Sequence, residues 1–388
     1  MQMDLGELIV KKVRVPVIYL LIICCLISCQ PKSDSSPESS SQQPADVSSD
    51  NRSREYINNI EEGGAFELPV IGATGYAAVD LPVFESANTF SNFITPLNPG
   101  QGFTIIREEN DWWQIEINNI RGWVMHKYCF INLPDIIPSI VYNNTNTYFS
   151  MFKSSGMDIP NITGRALYDA MDFNVRLGRE EYIAPLLYAM AGRVFRAQHN
   201  ALAEGHTLIL YEAFRPADAH NELHEYFSEL VNTNPAVRAG ITADSFNIRW
   251  FLAESPYNHQ RGTAVDVSLA RIDSMETRTA GPYAYIYITG YTEYLMQTDI
   301  HELSVAAAVY ASTVHARSTT SWIGQPMSSR ATPGTVLLHR YCTDAGLIPL
   351  ASEWWHFNDL VNTEVAVEMN VTGEFFLDRT YSRVPGLE

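Results

Sequence analysis

The stretch NHQRGTAVDVSL, residues 258–269, sets the hardest condition on the fold. Val265, Val267 and Leu269 alternate with Ala264, Asp266 and Ser268, the period of two of a β-strand with opposed faces. Asp266 then points away from the valine face, toward whatever the other side encloses. A carboxylate in so apolar a strand is costly to bury alone, and a cation or a metal ion is its usual partner. Gly262 lets the backbone turn tightly between His259 and the strand, which brings an imidazole back beside the carboxylate. Taken alone, the segment is also satisfied by a histidine and an aspartate that merely cap a loop.

At 388 residues the chain is long enough for two folded units. The first 29 residues belong to neither. Lys11, Lys12 and Arg14 precede an apolar run at 15–28, VPVIYLLIICCLIS, which is shorter than the ~20 residues needed to span a bilayer and has the layout of an export signal. Its ending, LISC, resembles the lipobox of bacterial lipoproteins, which implies cleavage before Cys29 and a lipid on that cysteine; an ordinary signal or a short anchor helix is the alternative. Residues 30–64 begin with a Ser-, Pro- and acid-rich stretch that buries too little apolar surface to order itself, so they read as a flexible tether. The expected location is outside the cytoplasm, on a membrane-anchored lipoprotein facing the periplasm or the cell surface.

The formal net charge is −18, with 44 acidic against 26 Lys and Arg residues, and no basic patch is visible. That balance excludes nucleic acid and an anionic membrane surface as partners and leaves the lipid as the only membrane contact. Of five cysteines, Cys24 and Cys25 go with the signal and Cys29 carries lipid. Cys129 and Cys342 form neither a disulfide framework nor the paired spacing of a thiolate zinc site.

Residues 65–134 show short β-rich runs separated by turns: GYAAVDLPVFE, then NPGQG, FTIIREENDWWQIEIN and RGWVMHKYCFINL. Strands of this length and spacing indicate a small all-β barrel or sandwich. The order of DLPVFE, DWWQIEI and Gly122-Trp123-Val124 resembles bacterial SH3-like domains, many of which bind cell-wall peptide. Trp112, Trp113 and Trp123 line a ligand groove or fill the core, and so small a barrel favours core. Residues 135–388 mix helices and strands with no βαβ rhythm and no glycine-rich phosphate loop, which predicts an α+β domain. A helical stretch at 182–205 places Leu186, Met190, Val194 and Ala197 on one face and stops at Gly205; a buried strand, HTLILYEAF, follows. The stretch 272–333 reads as long and partly loop-like, with a helix at 297–312.

The other half of the metal site is EWWH, residues 353–356. Two histidines and an aspartate, His259, His356 and Asp266, are a sound set of protein ligands for catalytic zinc, which keeps a position for water. Glu353, three residues before His356, suits the task of taking a proton from that water. The spacing of three fits one turn of helix or a bent strand end. Arg215, in LYEAFRP, stands at the end of the buried strand, where a guanidinium can neutralise an oxyanion or serve as an ordinary strand-end ion pair. His301-Glu302 lacks the second histidine four residues on that a zincin helix requires, Val305 being there, and reads as a helix start or pocket wall.

The order FRP, HQRGTAVD, EWWHF resembles the zinc D-alanyl-D-alanine dipeptidases and their D,D-carboxypeptidase relatives, a family that includes the vancomycin-resistance dipeptidase. Its pattern is H-x-x-G-x-A-x-D followed by E-x-W-H, and NITG at 161–164 resembles a further family segment, N-F-T-G. The resemblance covers roughly residues 141–358. It implies that His259, Asp266 and His356 hold zinc, that Glu353 is the catalytic base and that Arg215 stabilises the transition state. The family's serine two residues before the first zinc histidine is Tyr257 here, with Ser255 two further back. The expected activity is zinc-dependent hydrolysis of D-alanyl-D-alanine or a related small dipeptide. The alternatives are a peptidoglycan D,D- or L,D-carboxypeptidase or endopeptidase that trims stem peptides, favoured by the SH3-like module and the lipid tether, and a non-catalytic wall-binding lipoprotein with structural zinc.

Overall fold

Alternation governs the first part of the computed structural model, which describes residues 66–243, 245–253 and 256–386. The expected signal at 1–29, Cys29 and the tether at 30–64 lie outside the described residues. Seven short strands come first: β1 (Thr74–Ala77), β2 (Leu81–Phe84), β3 (Phe93–Leu97), β4 (Gly102–Glu109), β5 (Trp112–Ile117), β6 (Ile120–Met125) and β7 (Cys129–Asn132). They form an antiparallel sheet in the order β7-β1-β4-β5-β6-β2-β3. In β5, Trp113, Ile115 and Ile117 are buried while Trp112, Gln114 and Glu116 are half-buried. Asn118 and Asn119, with φ of 49° and 64°, close β5 onto β6 in a two-residue turn of the hand that suits twisted strands. Trp113 and Trp123 are core side chains, and Trp112 packs edge-on against Phe84.

The sheet continues past β7 into the rest of the chain. After β8 (Val141–Tyr142) and two small hairpins, β9 (Lys153–Ser154) with β10 (Met157–Asp158) and β11 (Met171–Asn174) with β12 (Arg179–Tyr182), the strand β13 (Pro185–Leu187) joins the free edge of β7, setting Leu186 opposite Ile131. This corrects the expected helix. Pro185 lacks an N–H and is tolerated at the start of an edge strand, so helix α1 begins only at Tyr188 and runs Tyr188–Leu202. Met190, Val194 and Ala197 are on its buried face as expected, whereas Leu186 is buried in the sheet.

The body is an α+β arrangement around a second, mostly antiparallel sheet. β14 (His206–Glu212) lies parallel to β8 and antiparallel to β15 (Ala264–Ala280), which pairs in turn with β16 (Tyr283–Glu293). β17 (Ile348–Pro349) and β18 (His356–Asn358) extend the sheet from the other edge of β15. The remaining helices are α2 (Ala217–Thr233), α3 (Pro235–Ile241), α4 (Ile248–Phe251), α5 (Pro333–Asp344) and α6 (Leu360–Glu368). The EWWH segment is a turn leading into β18, so the bent strand end, not a helix, sets its spacing.

The stretch 272–333 is partly loop-like, as expected, from 294 onward, but the helix expected within it does not form. Its first third is the regular hairpin β15–β16, turned at Gly281 and anchored where Ala280 and Tyr285 bury against Leu68. The predicted helix at 297–312 is absent, leaving only a 3₁₀ turn at Val305–Ala307. Its backbone partners come from elsewhere: Lys153 N–H donates to His301 O, Leu303 N–H to Lys153 O and Val309 N–H to Ala351 O. Leu303, Val305, Ala307 and Val309 are all buried, so tertiary packing overrides the helical pattern.

A buried polar network ties the entry of the barrel to the body. Glu67 accepts from Ser139 N–H at 3.0 Å and from the Ser139 hydroxyl, whose oxygen accepts from Gln198 Nε2 at 2.9 Å; Gln198 also donates to Thr207 Oγ1 at 3.0 Å. At the other end, the tail after α6 returns across the barrel: Tyr381 N–H donates to Thr74 Oγ1 and Thr104 Oγ1 donates to Tyr381 O. Gly102 makes room for it, since a Cβ there would sit 2.7 Å from the Tyr381 ring.

Burial, opposed by the two Ser139 hydrogen bonds, raises the Glu67 carboxyl to about 7 from its ordinary 4.5. The folded state therefore holds this proton more tightly than the unfolded chain, and the contribution is fully present below pH 4.5 and lost as pH rises through 7. The shift corresponds to about 3 kcal/mol. Glu67→Gln is expected to gain stability relative to the parent as pH rises from 5 to 8, by up to that amount. Urea unfolding at a series of pH values checks it, and parallel curves for the two proteins would refute it.

Candidate metal centre

Three elements deliver the sequence-expected ligands to one point. In the β15–β18 pairing Asp266 stands directly opposite His356, and in the β14–β15 pairing it stands opposite Glu212. The second match depends on a bulge at Tyr211, between Leu210 and Glu212, which aims Glu212 rather than Tyr211 at the Asp266 row. His259 arrives from the turn before β15. That turn needs Gly262 at φ 63°, and a Cβ there would lie 2.7 Å from the Phe130 ring of β7 and 2.9 Å from the Leu187 nitrogen of β13. Leu187 N–H also donates to Gly262 O at 2.8 Å, so the barrel sheet presses on the turn that carries His259.

His259 Nε2, His356 Nδ1 and Asp266 Oδ1 lie 2.9–3.2 Å from one another, all buried. The outer ring nitrogens fix the tautomers. His259 Nδ1–H donates to Ala213 O at 2.6 Å, and His356 Nε2–H donates to Asn358 Oδ1 at 2.9 Å, an oxygen that also accepts from Asn258 Nδ2. In neutral rings both inner nitrogens then present lone pairs to each other and to a carboxylate. This cluster demands positive charge at its centre, from extra protons or from a cation. Burial lowers the proton affinity of His356 despite its contacts with Asp266, which makes protons the poorer solution. Burial alone would raise the Asp266 carboxyl, but its contacts with His259, His301 and His356 hold it well below its usual range, so it is ionised.

The donor set fits zinc. Two imidazoles and a carboxylate at bonds of 2.0–2.1 Å would span tetrahedral edges of roughly 3.3 Å, close to the separations present, and each histidine has its outer nitrogen anchored as metal-bound histidines do. A second cluster, Glu212, Asp266 and His301, also brings three donors together. It needs no cation: Arg215 ion-pairs with Glu212 and lies 3.6 Å from Asp266 Oδ2, and Glu212 Oε1 further accepts from Asn146 and Tyr168.

Glu353 and Arg215 line the same small cavity as the three ligands. Glu353 Oε2 is 3.8 Å from His356 Nδ1. Burial, then repulsion from Asp266, pushes the Glu353 carboxyl well above its ordinary value against the pull of Arg215, giving it a strong hold on a proton. Burial opposes the charge on Arg215, but Glu212 and Asp266 keep it fully cationic. Arg215 also donates to His220 Nδ1, and His220 is driven down to about 3 by burial and that guanidinium, so it stays neutral. Tyr257 lines the wall, its ring 6.1 Å from that of His356.

His301 belongs to this centre, neither starting a helix nor acting as a mere wall. Its Nε2 is 3.1 Å from Asp266 Oδ2, its ring stacks 4.2 Å from Phe152, and its backbone adopts φ 62°. It holds the outer oxygen of Asp266 while the inner oxygen faces the two histidines. Asn358 was legible by the period of two from His356 in a strand; His301 carried no such signal.

Comparison with known proteins bears on the barrel. Residues 79–129 match the bacterial SH3 domain family model. The match covers β2 to the start of β7 and agrees with the antiparallel sheet there, followed by an α+β body. No curated protein matches the chain. Among the described residues, no helix is long and apolar enough to cross a membrane, and Cys129 and Cys342 are free and buried.

Zinc titration against a chromophoric chelator is expected to show one tight site, lost in Asp266→Ala and weakened about 10–100-fold in His301→Ala with the fold intact. Unchanged affinity in His301→Ala would remove that residue from the centre.

Proposed function

We propose that this chain is a zinc-dependent peptidase acting on D-alanyl-D-alanine or a related small cell-wall dipeptide. The observation that carries the reading is the convergence of three possible ligand atoms, His259 Nε2, His356 Nδ1 and Asp266 Oδ1, on a cavity that also holds Glu353 and Arg215. His259, Asp266 and His356 would hold a zinc ion, which would supply a Lewis acid to polarise a carbonyl and acidify water. Glu353, 3.8 Å from His356 Nδ1, would take a proton from the attacking water and return it to the departing amine. Arg215, pinned by Glu212, keeps its guanidinium directed into the cavity, where it balances the negative charge that develops on the carbonyl oxygen. Phe152, Leu303 and Trp355 wall the space against bulk water, which strengthens each of these charges.

The free volume at the ligands is about 10 Å³, room for a single water. A second reading, a carboxypeptidase or endopeptidase that trims peptidoglycan stem peptides, is favoured by an adjoining groove of about 780 Å³ that shares Tyr257 and Leu350 with the cavity, and by the match to a bacterial SH3 domain. A purely structural zinc site, as in a wall-binding lipoprotein, has no use for a buried carboxyl of raised proton affinity beside the ligands.

Glu353→Ala is expected to retain one zinc per chain while turnover of D-alanyl-D-alanine drops by about 10²–10⁴-fold, and His356→Ala to lose both metal and activity. Metal analysis alongside alanine release checks the pair. Loss of metal in Glu353→Ala, or activity persisting in it, would sink the role assignment.

A further inference from the structure

We propose that the groove beside the metal centre binds the acidic portion of a peptide substrate, with Arg261 and Arg317 as the residues that read its carboxylates. This rests on the second of the two readings above, a peptidase that trims longer peptides, and names its substrate class: a peptide that carries carboxylates upstream of the bond that is cut. Tyr257 and Leu350 belong to the walls of both spaces, so a chain leaving the catalytic cavity passes into the groove. Arg261 and Arg317 both line it, Arg261 half-buried and Arg317 exposed. Their charges oppose each other: burial first and then Arg317 lower the proton affinity of Arg261. The Arg261 Nε–H is buried with no hydrogen-bond partner. Several other arginines of this acidic chain are paired with carboxylates, among them Arg340 with Glu204, Arg179 with Glu181 and Arg193 with Asp359. Two repelling guanidinium groups with no ion pair among the described residues, beside the cavity of the metal centre, fit a carboxylate ligand. Trp250 offers an aromatic surface in the same groove, and Glu364 and Glu368 of α6 also line it. Those two carboxylates disfavour a uniformly polyanionic ligand and fit a peptide that bears an amine as well.

The test uses two zinc-loaded preparations, the parent and Arg317→Gln, with Arg261→Gln/Arg317→Gln as a third. Each receives a pair of hexapeptides ending in D-Ala-D-Ala that differ only in carrying glutamate or glutamine upstream. The expected result is a kcat/KM ratio, glutamate over glutamine, of about tenfold or more in the parent, shrinking toward one in the variants and in high salt. Fluorescence anisotropy of the same labelled peptides gives the corresponding Kd ratio without relying on turnover. A parent ratio near one in both assays overturns the groove assignment even if peptides are cleaved. A retained Kd ratio without any cleavage upholds the groove and overturns the hydrolytic reading instead.

Discussion

One carboxylate organises the molecule. Asp266 uses its two oxygens for different tasks: Oδ1 faces His259 and His356, while Oδ2 meets His301 and approaches Arg215. Because the residue sits mid-sheet, its neighbours across the strands are fixed by register, Glu212 on one side and His356 on the other. A slip of one residue in β15 would turn Asp266 to the opposite face and scatter the cluster. The valine face of the same strand, packed in the main core, is what makes that slip costly.

The charges around Asp266 divide into two halves with opposite needs. On the Oδ2 side, Arg215 and Glu212 neutralise one another and His301 completes the hydrogen bonding. On the Oδ1 side, two ring nitrogens and a carboxylate oxygen crowd one point, an arrangement that extra protons or a cation would relieve. The same fold thus holds a neutralised ion-pair cluster and a cluster of possible metal ligands within a single residue's reach.

The sequence carried much of this and withheld the rest for identifiable reasons. The alternation around Asp266, the glycine after His259 and the EWWH segment are local signals, and local geometry honours them. Glu212 was hidden because a bulge, invisible in HTLILYEAF, decides which residue faces Asp266. His301 was hidden because 297–312 has the pattern of a helix but finds its hydrogen bonds in β9 and in the turn at Ala351. Leu186 looked helical by spacing, yet the open edge of β7 recruited it as a strand. In each case a long-range partner outweighed a short-range preference.

The contact between the barrel and the Gly262 turn changes what kind of part the barrel is. Phe130 and Leu187 bear on the backbone that presents His259, and β13 completes the barrel sheet from within the body. A bacterial SH3 domain is often pictured as a cassette that evolution adds, removes or exchanges between proteins. Here such an exchange would have to carry over the aromatic ring at 130 and an open edge strand of the right length. Substitutions at 130 or along the β7 edge would therefore reach the backbone that presents His259, although they lie outside the cluster itself.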